Sequence, residues 1–211
     1  MIRLFSFFVN LFFPARCMFC REYLPYDADK PFCDGCRAAF TGVVPRKTPI
    51  PAGVCFYALD YEADVRRALI AYKFHNKPQY ARALGELLVP LIAPLGHVDC
   101  ITWAPVSALR LSRRGYDQSR LLAEAAGHAL NIPVRSLLHK HRHTRKQSRT
   151  PHEKRGENVR GAYSLAFGSA PAGCKIVLVD DIVTTGSTIS ECARILSEAG
   201  AREVVCVALA H

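Results

Sequence analysis

The chain has 211 residues, half of them hydrophobic and 22% charged, a composition that fits one medium folded domain plus a small appendage and excludes disorder as the main state. Its 28 Lys and Arg outnumber 18 Asp and Glu, and the formal net charge of +10 points to an anionic partner: phosphate, nucleic acid or an acidic membrane surface. The excess is local, since residues 103–160 carry 13 basic and four acidic side chains, so a basic surface serving solubility in general does not explain it.

The amino terminus begins with an aromatic stretch that Pro14 ends. Wound as a helix, it gathers Arg3, Ser6 and Asn10 on a narrow face and leaves a wide Phe/Leu face. It is too short to span a bilayer, and no small-residue cleavage site follows. Two readings stay open for residues 1–13: a helix packed on the protein's own core, or a weak, reversible membrane or partner contact. The default location is cytoplasmic.

Next comes Cys17-x2-Cys20-x12-Cys33-x2-Cys36. Two CxxC turns can close a tetrahedral shell of four thiolates, so the reading adopted is structural zinc, with no coordination position left for catalysis. Two disulfides, or a redox or iron–sulfur role, are the alternatives. The other cysteines (Cys55, Cys100, Cys174, Cys192, Cys206) are scattered through apolar runs, where they act as small buried hydrophobes.

Residues 43–51, punctuated by three prolines, read as an extended linker, which divides the chain into a cysteine module over 1–45 and a second domain over 52–211. Beyond it, residues 54–59 read as a strand. Residues 63–74 read as a helix with Val65, Ala68, Leu69 and Tyr72 inward, and 79–91 as a second helix. Strand-like runs recur at 98–103, 134–138, 162–167, 175–179 and 203–209, with helices at 118–130 and 188–199. This alternation predicts an α/β fold with a largely parallel sheet flanked by helices.

The sharpest chemical signal is residues 175–188, KIVLVDDIVTTGST. A β-branched apolar run ending in two carboxylates puts Asp180 and Asp181 at the carboxyl end of a buried parallel strand, where open α/β sheets bind ligands. Thr184, Thr185, Gly186, Ser187 and Thr188 then supply hydroxyls and outward amides at the start of a helix, a cradle for a phosphate monoester. The acids would repel phosphate, yet they can accept hydrogen bonds from ribose hydroxyls or hold magnesium through water. Phosphate beside acid implies a sugar phosphate. No GxxxxGK[ST] and no GxGxxG is present.

Residues 176–188 resemble the phosphoribosyl pyrophosphate (PRPP) signature of type I phosphoribosyltransferases. The resemblance implies that Asp180 and Asp181, the acids of the catalytic site, contact the ribose 2′ and 3′ hydroxyls, and that residues 184–188 hold the 5′-phosphate. A second stretch, WAPVSALRLSRRGYDQS at 103–119, is similar to the pattern V-P-x5-R-x3-R-G-[FY]-N-Q of the ComF (ComFC/GntX-like) family, which joins a four-cysteine module to a phosphoribosyltransferase-like domain. Arg110, Arg114, Gly115, Tyr116 and Gln118 match, whereas Asp117 stands where that pattern has Asn. Arg110 and Arg114 suit pyrophosphate oxygens, because a guanidinium offers paired, permanently charged donors. Residues 139–160, with eight Lys/Arg and almost nothing to bury, read as a solvated surface loop. The resemblance makes it the loop that closes over PRPP, with Gln147, Arg155, Asn158 and Tyr163 matching the family and Arg155 a PRPP contact.

Two functions follow from the resemblance. One is a PRPP-binding accessory protein of natural transformation that handles incoming single-stranded DNA at the cytoplasmic side of the membrane, beside DNA-uptake or helicase proteins. Arg142, Arg145, Lys146 and Arg149 would follow the DNA backbone, and Trp103 and Tyr116 would be candidates for stacking on bases. The other is a magnesium- and PRPP-dependent transferase that releases pyrophosphate to an acceptor the sequence does not name.

Overall fold

The computed structural model describes residues 14–25, 27–41, 44–142 and 159–211, so readings that rest on residues 1–13 and 143–158 lie outside it. The central strands of the sheet are built from continuous apolar runs, buried on both faces. Strands β1 (Arg46–Ile50), β2 (Gly53–Leu59), β3 (Cys100–Trp103), β6 (Lys175–Ile182) and β7 (Glu203–Ala210) are arranged in the order β1-β2-β7-β6-β3. Strands β2, β7, β6 and β3 run parallel, and β1 adds an antiparallel edge to β2. On β6 and β7, Val177, Val179, Val205 and Val207 face one core, whereas Ile176, Leu178, Cys206 and Ala208 face another. Both faces of the sheet are therefore covered, as a parallel sheet requires.

The first core receives α2 (Ala63–Phe74), α3 (Tyr80–Glu86) and α6 (Gln118–Leu130), together with Cys17, Met18 and Phe19 of the cysteine module. Helix α2 buries Val65, Ala68, Leu69 and Tyr72, the stripe expected from its spacing. The second core is closed by α7 (Ser187–Glu198), through Ile189, Cys192, Ala193 and Leu196. Short helices α1 (Asp34–Thr41), α4 (Val89–Ile92) and α5 (Ala108–Arg114) complete the described helices, with a 3-10 turn at Ala93–Leu95.

Several expectations are corrected. The proline-rich stretch is a strand from Arg46 to Ile50, because an edge strand tolerates proline where its outward N–H needs no partner. The helix expected over 79–91 breaks after Glu86: Pro90 has no N–H to donate and cannot continue it, so it opens α4 instead. The runs at 134–138 and 162–167 do not extend the main sheet. Val134 makes one isolated bridge to Ile101, while β4 (Leu138–Lys140) and β5 (Tyr163–Leu165) form a separate antiparallel pair. Among the described residues no helix is long and apolar enough to cross a membrane.

Candidate ligand-binding site

Strand β6 carries its two acids to the edge of the core, where both are almost fully buried. Asp180 Oδ1 accepts hydrogen bonds from the Ser119 hydroxyl (3.0 Å) and the Asp181 amide (2.9 Å). Asp181 Oδ2 pairs with Lys73 Nζ at 2.9 Å, from the last turn of α2. Burial, and then the charge of Asp181, push the Asp180 carboxyl up to about 7; Lys73 and the two hydrogen bonds oppose that shift.

The chain then turns through residues 183–186 into α7. Gly186 has φ +69°, and a Cβ there would come within 2.4 Å of Ile50 Cγ2 on β1, so both the turn and the close approach require glycine. The Thr185 and Ser187 hydroxyls lie 2.9 Å apart, and Thr185 Oγ1 accepts the Ser187 amide at 3.4 Å. Hydroxyls thus gather at the amino end of a 12-residue helix, where partial positive charge favours an anion.

Opposite, α5 sets Arg110 and Arg114 four residues apart on one face. Arg114 Nη1 donates to Gln118 Oε1 at 2.6 Å, and its guanidinium lies 4.8 Å from the Phe74 ring centroid. Asp180, Asp181, Thr188, Arg110 and Arg114 all line one cleft of about 430 Å³. Thr184, Thr185, Gly186 and Ser187 form the turn beside it. Arg155, Arg145, Lys146 and Arg149 lie outside the described residues. Arg142 is exposed and donates to the Arg160 carbonyl at 2.8 Å.

Two cleft residues were missed by sequence reasoning. Lys73 comes from a helix more than 100 residues before its partner. Lys140 lies on β4 in the buried–exposed–buried pattern Leu138, His139, Lys140, and that inward lysine was the only local signal. Asp117, the departure from the family pattern, is taken up by backbone and is not among the residues lining the cleft: Oδ1 accepts the Arg120 amide (3.2 Å) and Oδ2 the Val106 amide (3.0 Å), making it the N-cap of α6. Trp103 is only 8% exposed and packs in the first core, so it is no platform for stacked bases. Tyr116 is half-buried, tilted against Tyr72 and donating to the Tyr72 carbonyl.

In the cysteine module, the Sγ atoms of Cys17, Cys20, Cys33 and Cys36 all lie within 4.8 Å of one another, and the Cys20–Cys33 pair is at 3.6 Å. Ligands about 2.3 Å from a tetrahedral ion stand roughly 3.8 Å apart, so the sulfurs fit one metal ion. No disulfide joins them. Burial raises Cys17, but hydrogen bonds from the Cys33, Cys20 and Phe19 backbone outweigh it and bring the thiol down to about 7, toward the thiolate a metal needs.

Residues 119–211 match the phosphoribosyl transferase domain family. Over 92% of its length the chain is 27% identical to 95% of "Competence protein F" from Haemophilus influenzae. It is 32% identical over 152 residues, 69% of this chain and 66% of the relative, to "DNA utilization protein YhgH" from Salmonella typhi. Among solved structures, an allosteric regulatory enzyme of purine biosynthesis matches 66% of this chain at 25% identity with a TM-score of 0.44, and the chain spans 29% of that enzyme's length. With a relative matched almost end to end, a phosphoribosyl transferase domain over 119–211 and a cysteine cluster ahead of it, the chain belongs to the ComF family, its sheet a type I phosphoribosyltransferase-like fold.

Proposed function

We propose that the cleft binds PRPP with magnesium, and that the protein acts in the cytoplasm in natural transformation, in the handling of incoming single-stranded DNA. One observation carries the ligand reading: two buried carboxylates at the end of β6 face two arginines of α5 across a cleft that also contains the start of α7. In it, Asp180 and Asp181 accept the ribose 2′ and 3′ hydroxyls, residues 184–188 take the 5′-phosphate, and Arg110, Arg114 and Arg155 hold pyrophosphate oxygens. Magnesium, when bound, neutralises charge on the pyrophosphate. The names of the relatives, a competence protein and a DNA utilization protein, support the cellular part of the reading. DNA-uptake or helicase proteins are the proposed partners, residues 1–13 a weak membrane contact, Arg142, Arg145, Lys146 and Arg149 the track for DNA, and zinc the ion of the cysteine module.

The ligand test is calorimetry with magnesium-PRPP. Binding by the wild type, abolished in Asp180→Ala and Asp181→Ala, is the expected result; no binding by the wild type refutes the reading. The phosphoribosyl transferase domain match favours a second reading, a transferase that releases pyrophosphate to an acceptor. An oxocarbenium-like transition state needs little protein acid–base chemistry, and the cleft residues would serve it by holding departing pyrophosphate and excluding water. Pyrophosphate release that depends on an added nucleobase, across a panel of bases, separates turnover from binding.

A further inference from the structure

Lys140 is only 5% exposed, yet it lines the cleft. The β4–β5 register sets it directly opposite Tyr163, whose hydroxyl accepts its Nζ at 2.6 Å and whose ring centroid lies 4.5 Å away. Among the described residues no carboxylate comes within 4.0 Å of this ammonium, while Lys30, Lys73 and Lys175 each pair with Asp or Glu. Tyr163 in turn hydrogen-bonds the Thr188 side chain at the start of α7. A chain of groups, Lys140–Tyr163–Thr188, therefore runs from the two-stranded sheet to the phosphate loop. A cation stripped of water and bonded to a neutral phenol is unfavourable unless a counter-charge arrives, and the cleft is the way in for one.

We propose that Lys140 is the counter-ion of one phosphate group of the bound ligand, held by Tyr163 beside Thr188, and that this phosphate fixes a proton on the lysine when it binds. The inference rests on the PRPP reading of the cleft and adds to it a lysine that the motifs do not contain. Burial, and then the Arg110 charge, lower the Lys140 ammonium to about 8; the Asp180 and Asp117 carboxylates pull the other way. Cys192 is held well above the usual thiol range and stays neutral. Above pH 8 much of the free protein therefore has a neutral Lys140, and an arriving phosphate dianion draws a proton onto it. At pH 9 Asp180, raised to about 7, is already ionised in the free protein, so the Lys140→Met comparison reads the part of the uptake that belongs to the lysine.

The experiment is calorimetry of the full chain at pH 9, in two buffers of different ionisation enthalpy, with ribose 5-phosphate and, separately, with magnesium pyrophosphate. Ribose 5-phosphate should bind the wild type with net proton uptake. Lys140→Met should lose the uptake and weaken ribose 5-phosphate binding roughly 10- to 100-fold, the worth of one charge-assisted hydrogen bond. Lys140→Arg should restore the affinity without uptake, because a guanidinium stays charged at that pH. Tyr163→Phe should keep the uptake, which separates loss of the charge from loss of the fold. Uptake or affinity unchanged in Lys140→Met overturns the inference, and a loss confined to pyrophosphate overturns its place beside Thr188. Failure of all three probes, magnesium-PRPP included, to bind the wild type brings down the reading of the cleft as well; normal binding in Lys140→Met brings down the lysine alone.

Discussion

Gly186→Ala probes the joint between the phosphate loop and strand β1. Two costs add at this position. The first is conformational: a non-glycine residue at φ +69° costs roughly 1–2 kcal/mol. The second is steric: the new Cβ would lie 2.4 Å from Ile50 Cγ2 and 2.6 Å from Ile50 Cβ, on a buried strand residue that cannot swing aside. Overpacking of this kind costs roughly 1–3 kcal/mol. Together they predict a loss of about 2–5 kcal/mol, against a total stability of about 5–15 kcal/mol for a domain of this kind. Gly168→Ala is the control, since Gly168 has φ +74° and a Cβ added there would meet nothing within 4 Å, so it should cost only the conformational part. Urea unfolding followed by circular dichroism measures both. Equal losses in the two variants would refute the argument that β1 presses on the loop. A larger loss at Gly186 should bring weaker magnesium-PRPP binding with it, because relief of the clash moves the amides at the start of α7.

Asp117→Ala should cost roughly 2–4 kcal/mol in the same unfolding assay, since it removes an N-cap and leaves the Val106 amide without its acceptor; a loss under about 0.5 kcal/mol would show that the carboxylate does not hold this turn. For Asp180 the sign follows from a folded-state carboxyl raised from 3.8 to about 7: its contribution is fully present below pH 4 and is lost as pH rises through 7. Asp180→Asn should then match the wild type at pH 4 and exceed it in urea at pH 8, and equal stability at both pH values would contradict the burial argument. Elemental analysis should find about one zinc per chain, with chelation lowering the melting temperature and Cys33→Ser losing the metal; a metal-free protein with four more titratable thiols would exclude the zinc reading.

What could be read from the sequence was what is local in it. The strand, the acids and the phosphate turn occupy 14 consecutive residues, so apolar run, charge and glycine together fix their geometry, and the chain does place Asp180, Asp181 and Thr188 on one cleft. Edge pairing is not local: Pro45, Pro49 and Pro51 mark an extended segment, and nothing in them tells a linker from a strand that pairs with residues 53–57. Likewise Leu138 and Tyr163 carry strand propensity, but whether they join the main sheet or each other depends on register. Trp103 misled for the opposite reason. It stands next to a basic stretch in sequence, while the parallel pairing of β3 with β6 turns it into the core.

The concentration of positive charge in residues 103–160 can now be divided between a small ligand and a polymer. Arg110, Arg114 and Lys140 line the cleft, and Arg120 is taken up by Glu124 at 2.7 Å and by the Trp103 face. Arg142 is exposed and lines no part of the cleft, and with Arg145, Lys146 and Arg149 it makes the four-charge track proposed for DNA. A single strand neutralised by four cations gives log affinity a slope near −0.7 for each against log salt, about −3 in all, so affinity should fall roughly 50-fold between 50 and 200 mM salt. Replacing these four by Gln should flatten that slope while leaving magnesium-PRPP affinity within a few fold, and Arg114→Gln should do the reverse. If the four-residue variant kept its salt dependence, the polymer would be held elsewhere; if it lost PRPP as well, the two ligands would share one set of charges. Only the reciprocal result assigns the cleft to the small molecule and the Arg142, Arg145, Lys146 and Arg149 track to DNA.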